Sequence, residues 1–435
     1  MNRRYPPARR GDDGLQIEVR TSTLEEAFIK LWVELFTTPV HLDSALSKQP
    51  RHLKSLLAQL IVPILLRPAS LAQAMGVGVS PGEPWSLTRE QLAHWRPAWL
   101  IAKALHQTMQ GQAQKVAPVQ DDFPPHFLAE LGDAWAEMAK EPPLSLRVSR
   151  GHSPQNILQE FRKAGLPVRA VLSDLSPQGI RLAGYTPIMG KIGEHDYYEE
   201  GAFEIQDEGS QVMAYFALWP ELFSKLLRSS PGELRNLPGW SVPELPRGEP
   251  FTVVDACAGA GGKSLALADA LVGRGRVYAY DLNERKLQAL RRRATRAGLN
   301  NIQAVALPEG QESEALAKFR GSAEVVLVDA PCSGWGVLRR SPDIKWRQGL
   351  DTLEKMSAIQ SRLLSVYSEL VAPGGRLVFG VCTFRKGETT EVVDRFLASH
   401  PEFSRGPGGY VGPGPCDGFF MQSMTKKGAP QRGGQ

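Results

Sequence analysis

The stretch TVVDACAGAGGKS, residues 252–264, decides the fold of this chain. A short apolar strand ends at Asp255, a loop of small residues follows, and a helix begins near Lys263. The glycines of the loop allow the backbone to approach a ligand where a Cβ would collide. Amide groups at the start of the following helix would face the same ligand. The stretch therefore predicts a strand–loop–helix unit that binds a ligand.

A second strand, RVYAYD, ends at Asp281, twenty positions after Gly261. An acidic residue at about this spacing holds the ribose hydroxyls of a nucleoside cofactor in a Rossmann-like sheet. From residue 251 to about residue 397, apolar strands and amphipathic helices alternate, which is typical of a parallel, doubly wound α/β sheet. We therefore expect an α/β domain with a Rossmann-like sheet and a nucleoside-cofactor site.

The loop alone leaves two other interpretations open. The segment CAGAGGKS nearly matches the phosphate-binding pattern G-x-x-x-x-G-K-[ST], and VVLVD at 325–329 could be its magnesium-binding strand. In that pattern the first glycine would fall on Cys257, whose Cβ would stand where the loop wraps around phosphate. The other interpretation is a tight strand–helix turn without a ligand, since small-residue loops are common in α/β folds.

Composition restricts the class of protein. The 435 residues are enough for two or three domains, and 42% apolar with 22% charged residues is ordinary for a globular protein. The 51 basic and 46 acidic residues permit a nucleic-acid partner without requiring one. Four cysteines without a C-x-x-C pair or a histidine cluster predict neither a zinc site nor a disulfide framework. The start has no secretory signal and no apolar run reaches membrane-spanning length, so we expect a cytoplasmic protein without a membrane partner. We further expect a monomer without a metal ion.

Changes in texture along the chain predict five segments. Residues 1–20 and 426–435 are polar and rich in Gly, Pro or Arg, which is typical of disordered tails. Apolar residues at helical spacing predict an all-helical domain over residues 21–140. Residues 141–205 read as a small α+β module, and residues 206–425 as the α/β domain with the glycine loop.

Two further strands of the predicted sheet end in turns that contain cysteine. The strand EVVLV runs into DAPCSG with Asp329 and Cys332, and RLVFGV runs into Cys382. Ligands of an open parallel sheet bind beyond the carboxyl ends of its strands, so these residues, Asp281 and the glycine loop should line one crevice. A buried cysteine is usually inert, but two at strand ends beside an Asp-Ala-Pro turn indicate a functional site.

These motifs resemble those of the Sun/Fmu-type RNA cytosine-C5 methyltransferases, which use S-adenosylmethionine. The matching stretches appear in the family's order and span the last two-thirds of the chain: GAFEIQDEGSQ (201–211), DACAGAGGK (255–263), DAPCSGWGVLRRSPDIKW (329–346), GVCTF (380–384) and DGFF (417–420). The chain is most similar to the bacterial branch that methylates small-subunit ribosomal RNA. That resemblance implies a NusB-like helical domain, an RRM-like module and a Rossmann-like methyltransferase domain, with RNA as partner.

The resemblance also implies roles for individual residues. Cys382 would be the nucleophile that adds to cytosine C6, Cys332 would help to release the methylated base, and Asp329 would bind the cytosine ring near N3. Contacts to RNA are expected from Arg339, Arg340, Lys345 and Trp346, with Trp346 able to stack on a base. The expected cofactor-binding residues are Cys257, Ala258, Gly259, Ala260, Gly261, Gly262, Lys263, Asp281 and Asp329.

Other functions remain open. The family usually has proline where this chain has Ala260, and serine after the nucleophile where this chain has Thr383. It also has an acid after the third strand, which this chain lacks at the corresponding position. These differences allow an RNA-binding ribosome-assembly factor with a weakened cofactor pocket. A transfer RNA cytosine-C5 methyltransferase is a further alternative. Methylation of DNA cytosine would instead place the nucleophile on Cys332, in the Pro-Cys pair.

Overall fold

The computed structural model describes residues 21–37, 41–74, 98–103, 120–123, 125–163, 170–182, 192, 195–227, 251–271, 273–347 and 351–428. The disordered tail predicted over residues 1–20 and the greater part of the tail predicted over 426–435 lie outside these residues.

The described part of residues 21–140 is helical. Leu and aromatic side chains at helical spacing form one apolar core there, with Phe28, Trp32 and Leu57 fully buried. The helices span Thr21–Thr37, Leu42–Ser47, Arg51–Leu66, Pro68–Ala74, Pro125–Leu131 and Trp135–Met138, with a further helical segment at 98–103.

A small antiparallel sheet follows. Its strands are β1 (Leu144–Val148), β2 (Ala170–Leu172), β3 (Gly179–Leu182) and β4 (Phe203–Ile205), in the order β2-β3-β1-β4. The helix Pro154–Lys163 joins β1 to β2, and a short helix, Asp196–Glu199, precedes β4. This alternation of strands and helices is that of a split βαβ unit, which agrees with the α+β module expected from the sequence.

The large sheet has seven strands among the described residues: β5 (Phe251–Asp255), β6 (Gly275–Asp281), β7 (Ile302–Ala306), β8 (Ala323–Asp329), β9 (Val371–Val381), β10 (Phe403–Val411) and β11 (Phe419–Lys426). The order is β10-β11-β9-β8-β5-β6-β7, and β9-β8-β5-β6-β7 are parallel. The parallel part confirms the Rossmann-like fold class. The strand order reverses between β5 and β8, which is the place where such sheets bind ligands.

Helices cover both faces of this sheet. They span Glu208–Leu218, Pro220–Phe223, Gly262–Leu271, Glu284–Arg296, Glu312–Leu316, Ile344–Arg347, Asp351–Ser368 and Thr390–Ser399. Two apolar cores result, one on each face, because parallel strands such as β8 are buried on both sides. The helix Asp351–Ser368 ends before Val371, which already pairs with Ala323 in the sheet.

The predicted disordered tail begins too early. Strand β11 continues to Lys426, pairs with β9 and β10, and the Nζ of Lys426 donates to the carbonyl of Val371 at 2.9 Å. The next residue, Lys427, donates its backbone N–H to Glu402 at 2.8 Å. A polar composition resembles a tail, but at the end of a sheet the backbone hydrogen bonds of such residues are still satisfied by a neighbouring strand.

Two residues expected to contact RNA are buried against the helical region instead. Lys345 and Trp346 are 2% and 3% exposed. The Nζ of Lys345 donates to the carbonyls of Leu66 and Asp122 at 2.6 and 2.7 Å, and Trp346 Nε1 donates to Leu65 at 2.8 Å. The carbonyls of Leu65 and Leu66 belong to the end of a helix and have no partner within it. The expectation that Lys345 and Trp346 meet RNA is therefore wrong, because they hold the helical region against the α/β domain.

Lys345 is expected to give the protein a distinct dependence of stability on pH. Burial lowers the pKa of Lys345 from its ordinary value of 10.5 to about 7. Between these two values the unfolded chain holds a proton that the folded chain lacks, so the free energy of unfolding rises with pH in this window. Lys345→Met should flatten the rise between pH 7 and pH 10, measured by urea unfolding followed by tryptophan fluorescence. Exposed Lys427→Met is the control, and an unchanged pH slope in Lys345→Met would refute the account.

Candidate active site

The glycine loop leaves β5 at Asp255 and enters the helix Gly262–Leu271. Gly259 and Gly261 have φ angles of +54° and +90°, which side chains other than glycine rarely adopt. A Cβ on Gly261 would lie 2.4 Å from Leu290 Cγ, so the loop packs tightly on the next helix. A Cβ on Gly259 would meet nothing within 4 Å, so the backbone at this position faces open space. The loop leaves room for a ligand in front of Gly259.

Asp281 lies at the carboxyl end of β6, beside this loop. One carboxylate oxygen accepts from the N–H of Gly259 at 2.8 Å, and the other accepts from the N–H of Asn283 at 2.7 Å. The next side chain, Leu282, is 49% exposed, which is unusual for a large apolar residue. A carboxylate next to an exposed apolar side chain suits a ligand that has both hydroxyl groups and a flat base.

A second carboxylate, Asp255, lies beneath the loop. It is 1% exposed, and its Oδ2 accepts from Ser264 Oγ at 2.6 Å, whereas its Oδ1 has no hydrogen-bond partner among the described residues. Burial, partly offset by the Ser264 hydroxyl, raises the pKa of Asp255 to about 6. An unpaired buried oxygen is costly, so Asp255 Oδ1 has an unused capacity to accept a hydrogen bond.

Lys263 and Asp329 form an ion pair that crosses the crevice. The Nζ of Lys263 lies 2.5 Å from Asp329 Oδ2, and the side chains are 11% and 26% exposed. Burial lowers the pKa of Lys263, but the charge and hydrogen bond of Asp329 more than offset this, so the pKa lies above its ordinary value. Lys263 is therefore a fixed cation inside the site, not a surface lysine.

Cys332 and Cys382 meet next to this ion pair. Their Sγ atoms are 3.4 Å apart, at the carboxyl ends of the neighbouring parallel strands β8 and β9. The hydrogen bond to Cys382, together with burial, raises the pKa of Cys332 well above its ordinary value. Burial and nearby carboxylates also raise the pKa of Cys257. At neutral pH, Cys332 and Cys257 are therefore neutral thiols.

The residues present fit S-adenosylmethionine. Gly259 leaves space, Asp281 offers a carboxylate for ribose, Leu282 offers an apolar surface for adenine, and Asp255 Oδ1 has an unused acceptor. Among the described residues, no group of three or more His, Cys, Asp or Glu side chains could hold a metal ion. None of the helices in the described ranges is both long and apolar enough to cross a membrane.

Comparison with known proteins also indicates a methyltransferase. The model of the 16S rRNA methyltransferase RsmB/F family matches residues 245–410. Residues 245–410, which match this model, are referred to below as the RsmB/F domain. This match confirms the resemblance to the Sun/Fmu-type methyltransferases that the motifs predicted.

Curated relatives of the RsmB/F domain extend the match beyond these residues. The probable ribosomal RNA small subunit methyltransferase B of Bacillus subtilis is 29% identical over 341 residues, which cover 71% of this chain and 67% of the relative. The ribosomal RNA small subunit methyltransferase B of Pseudomonas syringae is 29% identical over 73% of this chain and 69% of the relative. The Thermus thermophilus protein of that name is 33% identical, but over 47% of each chain.

Solved structures share the fold of the RsmB/F domain and its neighbours. The crystal structure of PH0851 aligns with a TM-score of 0.62 at 20% identity and covers 92% of this chain and 98% of that one. The structure of NSun6 from Pyrococcus horikoshii with SFG aligns with a TM-score of 0.54 at 16% identity, over 69% of this chain and 96% of that one. At these identities the likeness shows the fold alone.

Sequence reasoning missed a buried carboxylate behind the two cysteines of the RsmB/F domain. Glu388 is fully buried, and its Oε2 accepts from the N–H of Ser333 at 2.8 Å and from Gln360 Nε2 at 3.1 Å. The hydroxyls of Ser333 and Thr383 are 2.9 Å apart. The turn after Cys332 is thus tied to the turn after Cys382. Glu388 lies six residues after Cys382, in a short 3-10 turn. The sequence offers this proximity as a signal, but spacing alone does not show that the turn directs the carboxylate behind the cysteines.

The two arginines expected to contact RNA lie in an ion network. Arg339, 1% exposed, donates from Nε to Asp417 at 2.9 Å. Arg340 pairs with Asp417 and donates from Nη2 to Asp207 at 2.8 Å and to the carbonyl of Pro143 at 2.9 Å. The expectation that Arg339 meets RNA is wrong, because its guanidinium is buried. Through Asp207 and Asp417 the network joins three of the matching stretches.

Gly261→Ala should lower the free energy of unfolding of the RsmB/F domain more than Gly273→Ala does. The substitution adds the strain of a positive φ, about 1 kcal/mol, and an overlap with Leu290 worth about 1–3 kcal/mol. Gly273 also has a positive φ (+69°) but open space around its Cβ, so Gly273→Ala should cost only the strain. Urea unfolding of both variants measures the difference. Equal losses of stability would show that the loop does not pack tightly on Leu290.

Proposed function

We propose that the protein transfers a methyl group from S-adenosylmethionine to C5 of a cytosine in small-subunit ribosomal RNA, with Cys382 as nucleophile. The observation that carries this proposal is the pair of cysteine sulfurs, 3.4 Å apart, beside the Lys263–Asp329 ion pair. The family match and the names of the curated relatives support ribosomal RNA as the substrate class. The NSun6 complex with SFG, an S-adenosylmethionine analogue, supports the cofactor.

The chemistry requires the addition of a thiolate to the base and the later release of the methylated base, and the two cysteines can take part in one step each. Cytosine C5 is a poor nucleophile, and a thiolate that adds to C6 makes C5 enamine-like. We assign this addition to Cys382. S-adenosylmethionine, when bound, supplies the methyl group that C5 attacks. Release then requires that water takes the proton from C5 while the bond between C6 and the Cys382 sulfur breaks.

The geometry gives Cys332, Asp329 and Lys263 their roles in the proposal. Cys332 is a neutral thiol because its pKa is raised, so its S–H can donate to the Cys382 thiolate as that thiolate leaves the base. Asp329 Oδ2 already accepts from Lys263, and the cytosine ring would meet the same carboxylate near N3. The ammonium of Lys263 holds this carboxylate in place and offsets its charge. The target base must be unstacked to enter the crevice.

The family match argues against the DNA alternative, because the model that matches describes 16S rRNA methyltransferases. The names of the relatives favour ribosomal over transfer RNA. An RNA-binding assembly factor would need none of the crevice contacts of Asp281, Asp329 and Lys263.

Covalent trapping tests the nucleophile. An RNA that carries 5-fluorocytosine cannot lose its C5 substituent, so wild-type protein with S-adenosylmethionine should form a stable protein–RNA adduct, seen as a shifted band on a denaturing gel. Cys382→Ala should form none, while Cys332→Ala should still form it. Survival of the adduct in Cys382→Ala would refute the assignment of the nucleophile.

Calorimetric titration with S-adenosylmethionine tests the cofactor site. Wild-type protein should bind with a Kd of about micromolar order, and Asp281→Ala should weaken binding about tenfold or more, because a charge-assisted hydrogen bond is lost. Glu402→Ala is the matched control, since this exposed carboxylate precedes β10 at the opposite edge of the sheet. Absence of binding in a folded wild-type protein would contradict the proposal and favour the assembly factor.

A further inference from the structure

The last strand of the small sheet contacts the helix beside the cofactor loop through a buried carboxylate. Glu204 in β4 is 1% exposed. Its Oε2 accepts from Arg293 Nη2 at 2.9 Å and from Arg293 Nε at 3.1 Å, and its Oε1 accepts from Arg296. Both arginines belong to the helix Glu284–Arg296. One carboxylate between two guanidinium groups leaves an excess positive charge, so the arrangement favours a further acceptor for Arg293.

That further acceptor is the cofactor loop itself. Arg293 Nη1 donates to the carbonyl of Ala260 at 2.7 Å. The same guanidinium therefore holds Glu204 of the small sheet and Ala260 of the loop. A planar guanidinium presents its donors in a fixed fork, so the position of one acceptor restricts the position of the other.

The helix and its first flanking turn touch three consecutive loop residues. Asp281, whose second oxygen accepts from the N–H of Asn283 at the start of the helix, holds Gly259. Arg293 holds Ala260, and the side chain of Leu290 packs under Gly261. Ala260 lies between two glycines with positive φ, so its own sequence supplies little rigidity. The loop geometry therefore depends on the helix.

The helix in turn is fixed by the small sheet. Arg296 lies over the ring of Tyr198 at 3.7 Å and donates to the carbonyl of Tyr198 at 2.5 Å. A Cβ on Gly201 would lie 2.3 Å from the carbonyl oxygen of Arg296, so the turn before β4 packs directly on the end of the helix. Gln206, which follows β4, lies near Gly262 at the start of the helix that follows the loop. The region of the small sheet therefore contacts both the helix Glu284–Arg296 and the end of the loop.

We propose that Arg293 and Glu204 are positioning residues through which the small sheet holds the cofactor loop in the conformation that binds S-adenosylmethionine. This inference rests on the proposed function. It assigns to the small sheet, the predicted RRM-like module, a role in cofactor affinity in addition to any contact with RNA. A loop held in its bound conformation needs less ordering when the ligand binds, so the ligand binds more tightly.

Calorimetric titration of the full-length protein with S-adenosyl-L-homocysteine tests the proposal. Arg293→Met should raise the Kd about tenfold, within the usual range of coupling between sites. Glu204→Gln, which keeps the shape of the side chain, should raise the Kd in the same direction. The double variant should lose no more than the stronger single variant, because both changes break one chain of contacts. Arg276→Met removes an exposed arginine at the opposite end of β6 and should leave the Kd unchanged.

Two further measurements separate positioning from a loss of structure. Arg293→Lys keeps the charge opposite Glu204, but a single ammonium cannot span both acceptors, so this variant should fold and still bind S-adenosylhomocysteine more weakly. In methyl transfer, the KM for S-adenosylmethionine should rise in Arg293→Lys while kcat and the KM for RNA stay close to wild type. A general loss of structure would change all three quantities together and would contradict the proposal.

The outcomes also distinguish this inference from the proposed function. Wild-type protein that binds no S-adenosylhomocysteine would contradict the proposed function. Wild-type protein that binds it, while Arg293→Met and Arg293→Lys bind equally tightly, would contradict only the positioning role.

Discussion

Parallel pairing of β5 with β6 on one side and with β8 on the other is the constraint on which the site depends. Because all three strands run in one direction, their carboxyl ends meet at one edge of the sheet. Strand β9 pairs in parallel with β8 and adds its own end to that edge. Residues from four separate parts of the sequence therefore reach one crevice: the glycine loop, Asp281, the turn with Asp329 and Cys332, and Cys382.

This edge collects negative charge, and Lys263 offsets part of it. Asp255, Asp281 and Asp329 all lie there, and Lys263 is paired with Asp329 at 2.5 Å. Cys332 stays a neutral thiol, so it adds no further negative charge to the crevice. A positively charged ligand such as a sulfonium would be favoured in such a field.

Much of the sheet could be predicted from the sequence, because several of its apolar strands run directly into a distinctive loop, acidic residue or cysteine turn. The glycine loop, the end of β6 at Asp281 and both cysteine turns lie at the ends of strands as expected. The antiparallel strands β10 and β11 were not predicted, and residues near Lys426 look like a polar tail until a neighbouring strand supplies partners. The roles of the individual site residues and the domain boundaries stay predictions.

Burial of charged side chains was the main point that the sequence could not reveal. Arg339, Lys345 and Trp346 carry the chemistry expected of an RNA surface, yet they are buried because carbonyls and carboxylates from distant segments satisfy them. The carbonyls of Leu65 and Leu66 are about 280 residues away from Lys345 and Trp346 in the sequence. Local spacing cannot predict contacts between residues so far apart. Glu388 and Arg293 were missed for the same reason.

The central claim, methyl transfer to cytosine C5 through Cys382, is tested most directly by release of tritium. Unmodified small-subunit ribosomal RNA, transcribed with cytidine labelled by tritium at C5, would be incubated with the protein and S-adenosylmethionine. The account predicts one tritium released into water for each methyl group incorporated, and neither event in Cys382→Ala. Incorporation of methyl groups without release of tritium would place the methyl group on another atom and contradict the account.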